Sequence, residues 1–279
     1  MSRTPLSRIT GAALLGGIVG QPVSHSLSPV IHNAWLEAGG IDGTYAAFAP
    51  VDAAGFEALV AAGRAGLIAG VNVTAPFKEQ AFAMADEAGT AARATGSANI
   101  LVFEGGRARA DSADGAGVLY ALAEQAPQLT LKGASVVILG AGGAARAGAG
   151  ALIEAGAALS ILNRTRERAE ALADDLGPAV SVAADAAVLE GADLVINALS
   201  VAPDIDLSAL KPSAVVMDMT YKPVVTPLLA AAQARGLTTV DGLAMLIGQA
   251  APSFEAIFRR PPPPLDLRAL LLRHLGEAA

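Results

Sequence analysis

The chain has 279 residues, 53% of them hydrophobic but only 4% aromatic, with a formal net charge of -7 and no cysteine. That length leaves room for one large or two moderate domains with ample core. An acidic chain without a basic block is a poor partner for nucleic acid or an anionic membrane surface, and the lack of cysteine excludes disulfides, thiolate nucleophiles and thiolate metal sites.

Arg3 and Arg8 precede an apolar run from Gly11 to Gly20 and so imitate a signal peptide. The run is glycine-rich, lacks a small-x-small cleavage site and leads directly into a motif, so Ala12 to Val19 reads as a first β-strand. No apolar segment reaches the roughly 18 to 20 residues that a spanning helix needs, and a cytoplasmic protein is expected. The three histidines, His25, His32 and His274, form no metal-ligand pattern, and no metal is expected.

Next comes Ser24-His25-Ser26-Leu27-Ser28-Pro29-Val30-Ile31-His32-Asn33. Ser28 followed by Pro29 predicts a helix N-cap with proline at N1, and Gly39-Gly40 ends that helix. Ser26 and Ser28 then set two hydroxyls and free backbone N–H groups at one helix mouth, a site for a small anion such as a carboxylate. Capping alone is the plainer use of such serines.

Thr44 to Ala49 reads as a second strand and Ala53 to Ala62 as a helix. Leu67 to Val73 is an apolar strand entering Thr74-Ala75-Pro76-Phe77-Lys78, with Pro76 suited to the first turn of a helix that reaches about Ala88 before Gly89. Lys78 therefore sits in a first turn, where the helix terminus already carries partial positive charge. The chain uses fifteen arginines and only four lysines. Lysine, unlike arginine, can give up a proton, which makes Lys78 the first catalytic candidate. Ala98 to Phe103 and Arg107 to Asp111, joined by Glu104-Gly105-Gly106, predict a hairpin. Asp114 then stands as a candidate N-cap before Gly115 and the next helix.

The second half changes character. Ser135 to Leu139 is an apolar strand entering Gly140-Ala141-Gly142-Gly143-Ala144-Ala145-Arg146, an alanine-rich helix runs to about Ala155, and Leu159 to Leu162 is the next strand. A glycine-rich turn in a β-α-β unit is the dinucleotide fingerprint, here in a variant spacing. About 20 positions on, where an NAD site holds a carboxylate, stands Asn163-Arg164-Thr165-Arg166-Glu167-Arg168. Guanidinium in place of carboxylate suits a 2′-phosphate and favours NADP(H) over NAD(H); Arg166 reads as plain helix surface. Strands follow at Ala179 to Val182, Asp193 to Ala198, Ala214 to Met219 and Thr238 to Val240, predicting a doubly wound parallel sheet. Gly242 opens a helix to about Phe258, Arg259 to Pro264 breaks it, and Leu265 to Leu275 forms the last one.

These segments together resemble the shikimate dehydrogenase family. The resemblance rests on Ser24 to Pro29, Asn72 to Lys78, Asp111 to Gly115, Gly140 to Arg146, Asn163 to Arg168, Asp218-Met219-Thr220-Tyr221-Lys222-Pro223 and Gly242 to Ala251, which follow the family's order along nearly the whole chain. It implies an α/β substrate-binding domain over residues 1–114 and 247–279, a Rossmann-type NADP domain over 115–246, and an active site in the cleft between them. It implies reversible reduction of 3-dehydroshikimate to shikimate with NADP(H), a step of chorismate and aromatic amino acid biosynthesis. By the same resemblance Ser26 and Ser28 hold the substrate carboxylate, and Asn72, Thr74, Asn99 and Gln249 bind ring hydroxyls. Tyr221 lies near the carboxylate and nicotinamide, Lys78 and Asp114 form the catalytic pair, and the cofactor is held by Gly140, Gly142, Gly143, Ala144, Asn163, Arg164, Thr165 and Arg168, with Met219 and Gly242 near the nicotinamide.

The chain departs from the family in Ser112-Ala113 and in Ala98-Asn99-Ile100, which removes two threonine hydroxyls near the substrate, and in the cofactor-side loop Ala198-Leu199-Ser200-Val201-Ala202. The alternatives are a paralogue acting on quinate or an aminoshikimate, or a non-catalytic sensor with the same fold. Monomer and homodimer both stand.

Overall fold

A computed structural model describes residues 9–199 and 201–277, so Arg3, Arg8 and Ser200 lie outside the described residues. The chain divides into two compact units: one takes the residues up to Ala113 together with those from Ala250 onward, the other is Asp114–Gln249.

The first unit is built on β1 (Leu14–Val19), α1 (Ser28–Ala38), β2 (Gly43–Phe48), α2 (Ala53–Arg64), β3 (Gly70–Val73), α3 (Lys78–Ala83), β4 (Glu87–Ala88), α4 (Thr90–Thr95), β5 (Ile100–Glu104) and β6 (Arg107–Asp111). Its six-stranded sheet has the order β2-β1-β3-β5-β6-β4. β1 pairs in parallel with β2 and β3, and the β5–β6 hairpin adds on antiparallel to β3. Phe56 of α2 stacks on Phe77 with ring centroids 4.9 Å apart, inside a core completed by Val19, Val71, Val73, Leu101 and Phe103. That stack anchors the chain immediately before Lys78.

The expected helix from Pro76 to Ala88 is shorter than the sequence suggests, because α3 ends at Ala83. The Asp86 carboxylate accepts from the Ala108 N–H and from Arg64, and the Asp86 N–H donates to the Ala108 carbonyl. Sheet pairing captures residues that alanine-rich composition assigns to a helix.

The second unit runs α5 (Asp114–Gln125), β7 (Ser135–Leu139), α6 (Gly143–Glu154), β8 (Ala158–Leu162), α7 (Arg166–Leu176), β9 (Val180–Val182), β10 (Leu194–Asn197), β11 (Val215–Asp218), α8 (Pro227–Ala234), β12 (Thr238–Val240) and the start of α9 (Gly242–Phe258), whose residues from Ala250 onward belong to the first unit. All its strand pairs are parallel, in the order β12-β11-β10-β7-β8-β9. This is the doubly wound Rossmann order, with its switch point between β7 and β10, where ligands bind outside the carboxyl ends of the strands. One core lies under α5, α6 and α7 around Val136, Ile138, Leu152 and Ile161; the other, under α8, gathers Val137, Leu189, Val195 and Leu229. α10 (Leu267–Leu275) belongs to the first unit, is capped by Asp266 and packs on α1.

Candidate active site

In the first unit the expected substrate residues gather at the carboxyl ends of β1 and β3 and the adjoining start of β5. The Thr74 N–H donates to the Val19 carbonyl and the Gln21 N–H to that of Ala75, so the loops after β1 and β3 run together. A Cβ on Gly20 would lie 2.2 Å from Thr74 Cγ2, so glycine there makes room for the threonine.

Ser28 is not the N-cap of α1. It is the first helical residue, Leu27 takes the cap position without a side-chain bond, and the Ser26 hydroxyl accepts from the Ser28 N–H at 3.2 Å. A local serine turn thus does the capping one step earlier than the Ser-Pro pair suggests. Ser28 is buried and Ser26 half-buried.

Asn72 is buried on β3. Its Nδ2 donates to the Asn99 carbonyl at 3.2 Å and to Ser253 Oγ at 2.9 Å, while its Oδ1 accepts from the Tyr45 hydroxyl at 2.7 Å. Asn99 also accepts at Oδ1 from the Ala113 N–H, the residue immediately before Asp114. Lys78 is half-buried in the first turn of α3, and its carbonyl accepts from the Ala98 N–H, which joins the α3 mouth to the Asn99 segment. Two neighbours of this cluster escaped the sequence reading. Burial pushes the Tyr45 phenol well above its usual value, with Ser28 pulling weakly the other way; burial lowers His32, stacked on Tyr45 at 4.1 Å, to about 3. Their signal was available in the sequence: polar residues inside otherwise apolar stretches.

In the second unit Asp114 is buried in the first turn of α5 and not at its N-cap. A Cβ on Gly117, one turn on, would lie 2.6 Å from the Met245 carbonyl oxygen and 3.1 Å from Gln249 Cβ. This close approach sets α9, and with it Gln249, against the start of α5. The ends of the two helices are tied by Gln125, which accepts from the Asp241 N–H and donates to the Asp241 carboxylate, while Asp241 caps α9 through the Ala244 N–H.

The glycine turn after β7 fits a dinucleotide. Gly140 has φ +110°, and its Cβ would meet the Leu199 side chain at 2.9 Å, so only glycine fits. Gly142 caps α6 without a side-chain bond, and a Cβ there would meet nothing within 4 Å. The first-turn N–H groups of α6, at Gly143 and Ala144, are therefore open to a phosphate. The Gly140 N–H donates to the Leu162 carbonyl, which brings the turn beside the loop after β8. There the Asn163 amide donates to the Thr165 carbonyl, and Arg164, Thr165 and Arg168 are exposed. Arg166 binds Glu170 at 2.8 Å, as a helix-surface residue does, and among the described residues neither Arg164 nor Arg168 is held by an acidic side chain.

Across the switch point, Asn197 ends β10 and Asp218 ends β11. The Asp218 carboxylate accepts from Asn197 Nδ2, the Thr220 N–H and the Thr226 hydroxyl, at 3.0, 2.9 and 2.7 Å. This buried network frames the loop of Met219, Thr220 and half-buried Tyr221. Gly242 closes on that loop from the other side, since its Cβ would sit 2.4 Å from the Met219 carbonyl oxygen. Sequence reasoning missed Asn197, Asp218 and Thr226 as supports; for Asn197 and Asp218 the signal was a polar residue ending an apolar strand, and for Thr226 a threonine before Pro227 at a helix start. Among the described residues no group of three His, Asp or Glu side chains could hold a metal, and no helix is long and apolar enough to cross a membrane.

Comparison with known proteins adds identity to geometry. The model for a shikimate dehydrogenase substrate binding domain matches residues 18–101, and that for shikimate / quinate 5-dehydrogenase matches residues 121–243. A shikimate dehydrogenase (NADP(+)) of Caulobacter vibrioides is 51% identical over 96% of this chain and 98% of its own. The solved shikimate 5-dehydrogenase of Thermus thermophilus, in complex with NADP(H) and shikimate, is 34% identical, with a TM-score of 0.84 over 93% of this chain and 99% of that one. A quinate dehydrogenase of Corynebacterium glutamicum, in complex with NAD, is 29% identical, with a TM-score of 0.85 over 94% of this chain and 99% of that one.

Proposed function

The chain belongs to the shikimate dehydrogenase family, and from that premise we propose that it reduces 3-dehydroshikimate to shikimate, reversibly, with NADP(H). The observation that carries this reading is the 51% identity to an NADP(+)-dependent shikimate dehydrogenase over 96% of the chain. Two features of the second unit support the cofactor half: the open cradle at Gly142 and the exposed guanidinium groups of Arg164 and Arg168, which no acidic side chain among the described residues holds.

The cofactor supplies the hydride. Gly140, Gly142, Gly143 and Ala144 hold its pyrophosphate on the α6 N–H groups, Asn163, Arg164, Thr165 and Arg168 take the 2′-phosphate end, and Met219 and Gly242 serve the nicotinamide end. Ser26 and Ser28, with Tyr221, hold the substrate carboxylate; Asn72, Thr74, Asn99 and Gln249 take the ring hydroxyls. A ketone carbon that gains a hydride leaves an alkoxide, which needs a proton donor within hydrogen-bond reach. Lys78 donates that proton, and Asp114 orients the ammonium group and a ring hydroxyl. In the reverse direction Lys78 takes the proton back. The enzyme works in the cytoplasm, as a monomer or homodimer.

The test is a cross of NADPH and NADH against 3-dehydroshikimate and 3-dehydroquinate, followed by loss of reduced-nicotinamide absorbance. Fast turnover confined to NADPH with 3-dehydroshikimate is expected. A better rate on 3-dehydroquinate would mean that Ser112, Ala113 and Ile100 have redirected the pocket.

A further inference from the structure

Tyr45 stands outside every role assigned above, yet its hydroxyl bonds Asn72 and its phenol oxygen feels Ser28, two residues given to the substrate. The Asn72 amide can point only one way. Its nitrogen faces the Asn99 carbonyl, which can accept but never donate, so turning the amide over would set two acceptors against each other. The second N–H goes to Ser253 Oγ. Both donors of Asn72 are therefore spent inside the protein. Its Oδ1 has two lone pairs, one of them taken by the Tyr45 hydroxyl, which must be the donor because a carbonyl oxygen cannot be.

We infer that Tyr45 is a positioning residue: with the direction of the Asn72 amide fixed by the Asn99 carbonyl, the Tyr45 hydroxyl donates to Oδ1 and holds that oxygen in place as an acceptor, so that a substrate hydroxyl meeting Asn72 must donate to Oδ1. Tyr45 is itself held on every side. Asn33 grips its backbone, accepting from the Tyr45 N–H at 3.0 Å and donating to the Tyr45 carbonyl at 2.8 Å. His32 lies flat on its ring, the planes 8° apart. Phenol, imidazole and amide are all buried, so no bulk water competes for the bond. A locked acceptor discriminates: a ligand with an ether or fluorine at that position finds two acceptors facing each other, while a hydroxyl pairs.

This inference rests on the reading of Asn72 as a contact to a non-reacting ring hydroxyl. Tyr45→Phe keeps the ring and its stacking and removes only the donor. In the oxidation of shikimate by NADP(+), the KM for shikimate should rise about three- to tenfold, the worth of a weakened hydrogen bond, with kcat and the KM for NADP(+) within about twofold of wild type. For one monodeoxy analogue that keeps the reacting carbinol, wild type and variant should have the same KM, because no hydroxyl remains for Asn72 to receive. An unchanged shikimate KM, or an equal rise for shikimate and every analogue, overturns the inference; the second pattern belongs to a general loss of structure. The wild-type enzyme gives a test without any variant. Fluorine at that ring position accepts but cannot donate, so the fluoro analogue should bind as weakly as the deoxy one, and recovery of affinity by fluorine at every position overturns the acceptor role. A wild-type enzyme that leaves shikimate untouched sinks the proposed function instead.

Discussion

His32 makes the first unit acid-sensitive by an amount that can be worked out. The imidazole is buried, its Nδ1 has no hydrogen-bond partner among the described residues, and burial lowers its pKa from 6.5 to about 3. Between those values the unfolded chain binds a proton that the folded chain refuses, so stability falls as pH falls. The contribution is fully present above pH 6.5 and declines by about 1.4 kcal/mol for each pH unit below it. From pH 7 to pH 5 the loss is about 2 kcal/mol. Asp42, Asp86, Asp193 and Asp206 are shifted the other way, downward from 3.8 by hydrogen bonds. Their contributions are present above 3.8 and disappear only below it, outside this window. The assay is built in, because Trp35 is the sole tryptophan, buried and 5.8 Å from His32. Urea unfolding followed by its fluorescence reports this unit. Wild type should lose about 2 kcal/mol between pH 7 and pH 5, and His32→Phe, which still covers Tyr45 and carries no proton, should lose little. Equal losses in the two proteins would refute the reasoning.

Lys78→Ala should lower kcat by roughly 10² to 10⁴ with a smaller effect on KM, and a kcat within about twofold of wild type would remove Lys78 from the proton-transfer role. Arg168→Ala should forfeit a charge-assisted bond worth about 1.5–3 kcal/mol, raising the KM for NADPH roughly ten- to hundredfold while leaving that for NADH unchanged; parallel increases for both would argue against a 2′-phosphate contact. Gly117→Ala drives a Cβ to 2.6 Å from backbone of α9 and should cost about 1–3 kcal/mol in thermal or urea unfolding. Gly142→Ala has nothing nearby to strike, so it should change stability by less than about 1 kcal/mol and instead raise the KM for NADPH; the opposite ranking of the two glycines would contradict the cradle.

What the sequence by itself determined is what depends on neighbours along the chain. Apolar runs alternating with alanine-rich helices announced the doubly wound sheet, and β7, β12 and the end of α9 fall where hydrophobic periodicity put them. The glycine turn and the arginines after β8 were legible because backbone freedom at Gly140 and charge at Arg168 are properties of single residue types. The proposal for Lys78 starts from a signal of the same kind, since a scarce lysine just after a strand is visible without coordinates.

Only the tertiary structure decided the rest. Nothing local ends α3 at Ala83; Asp86 ends it by pairing with Ala108, reached through the fold. Nothing local puts Asp114 inside α5 or Leu27 at the cap of α1, since one residue's shift depends on which N–H groups the folded loops have already satisfied. The direction of the Asn72 amide is the clearest case. Its partners are Tyr45, Asn99 and Ser253, the last 181 residues away. An amide looks the same from either end until a group that can only accept is brought against it, and packing alone supplies that group.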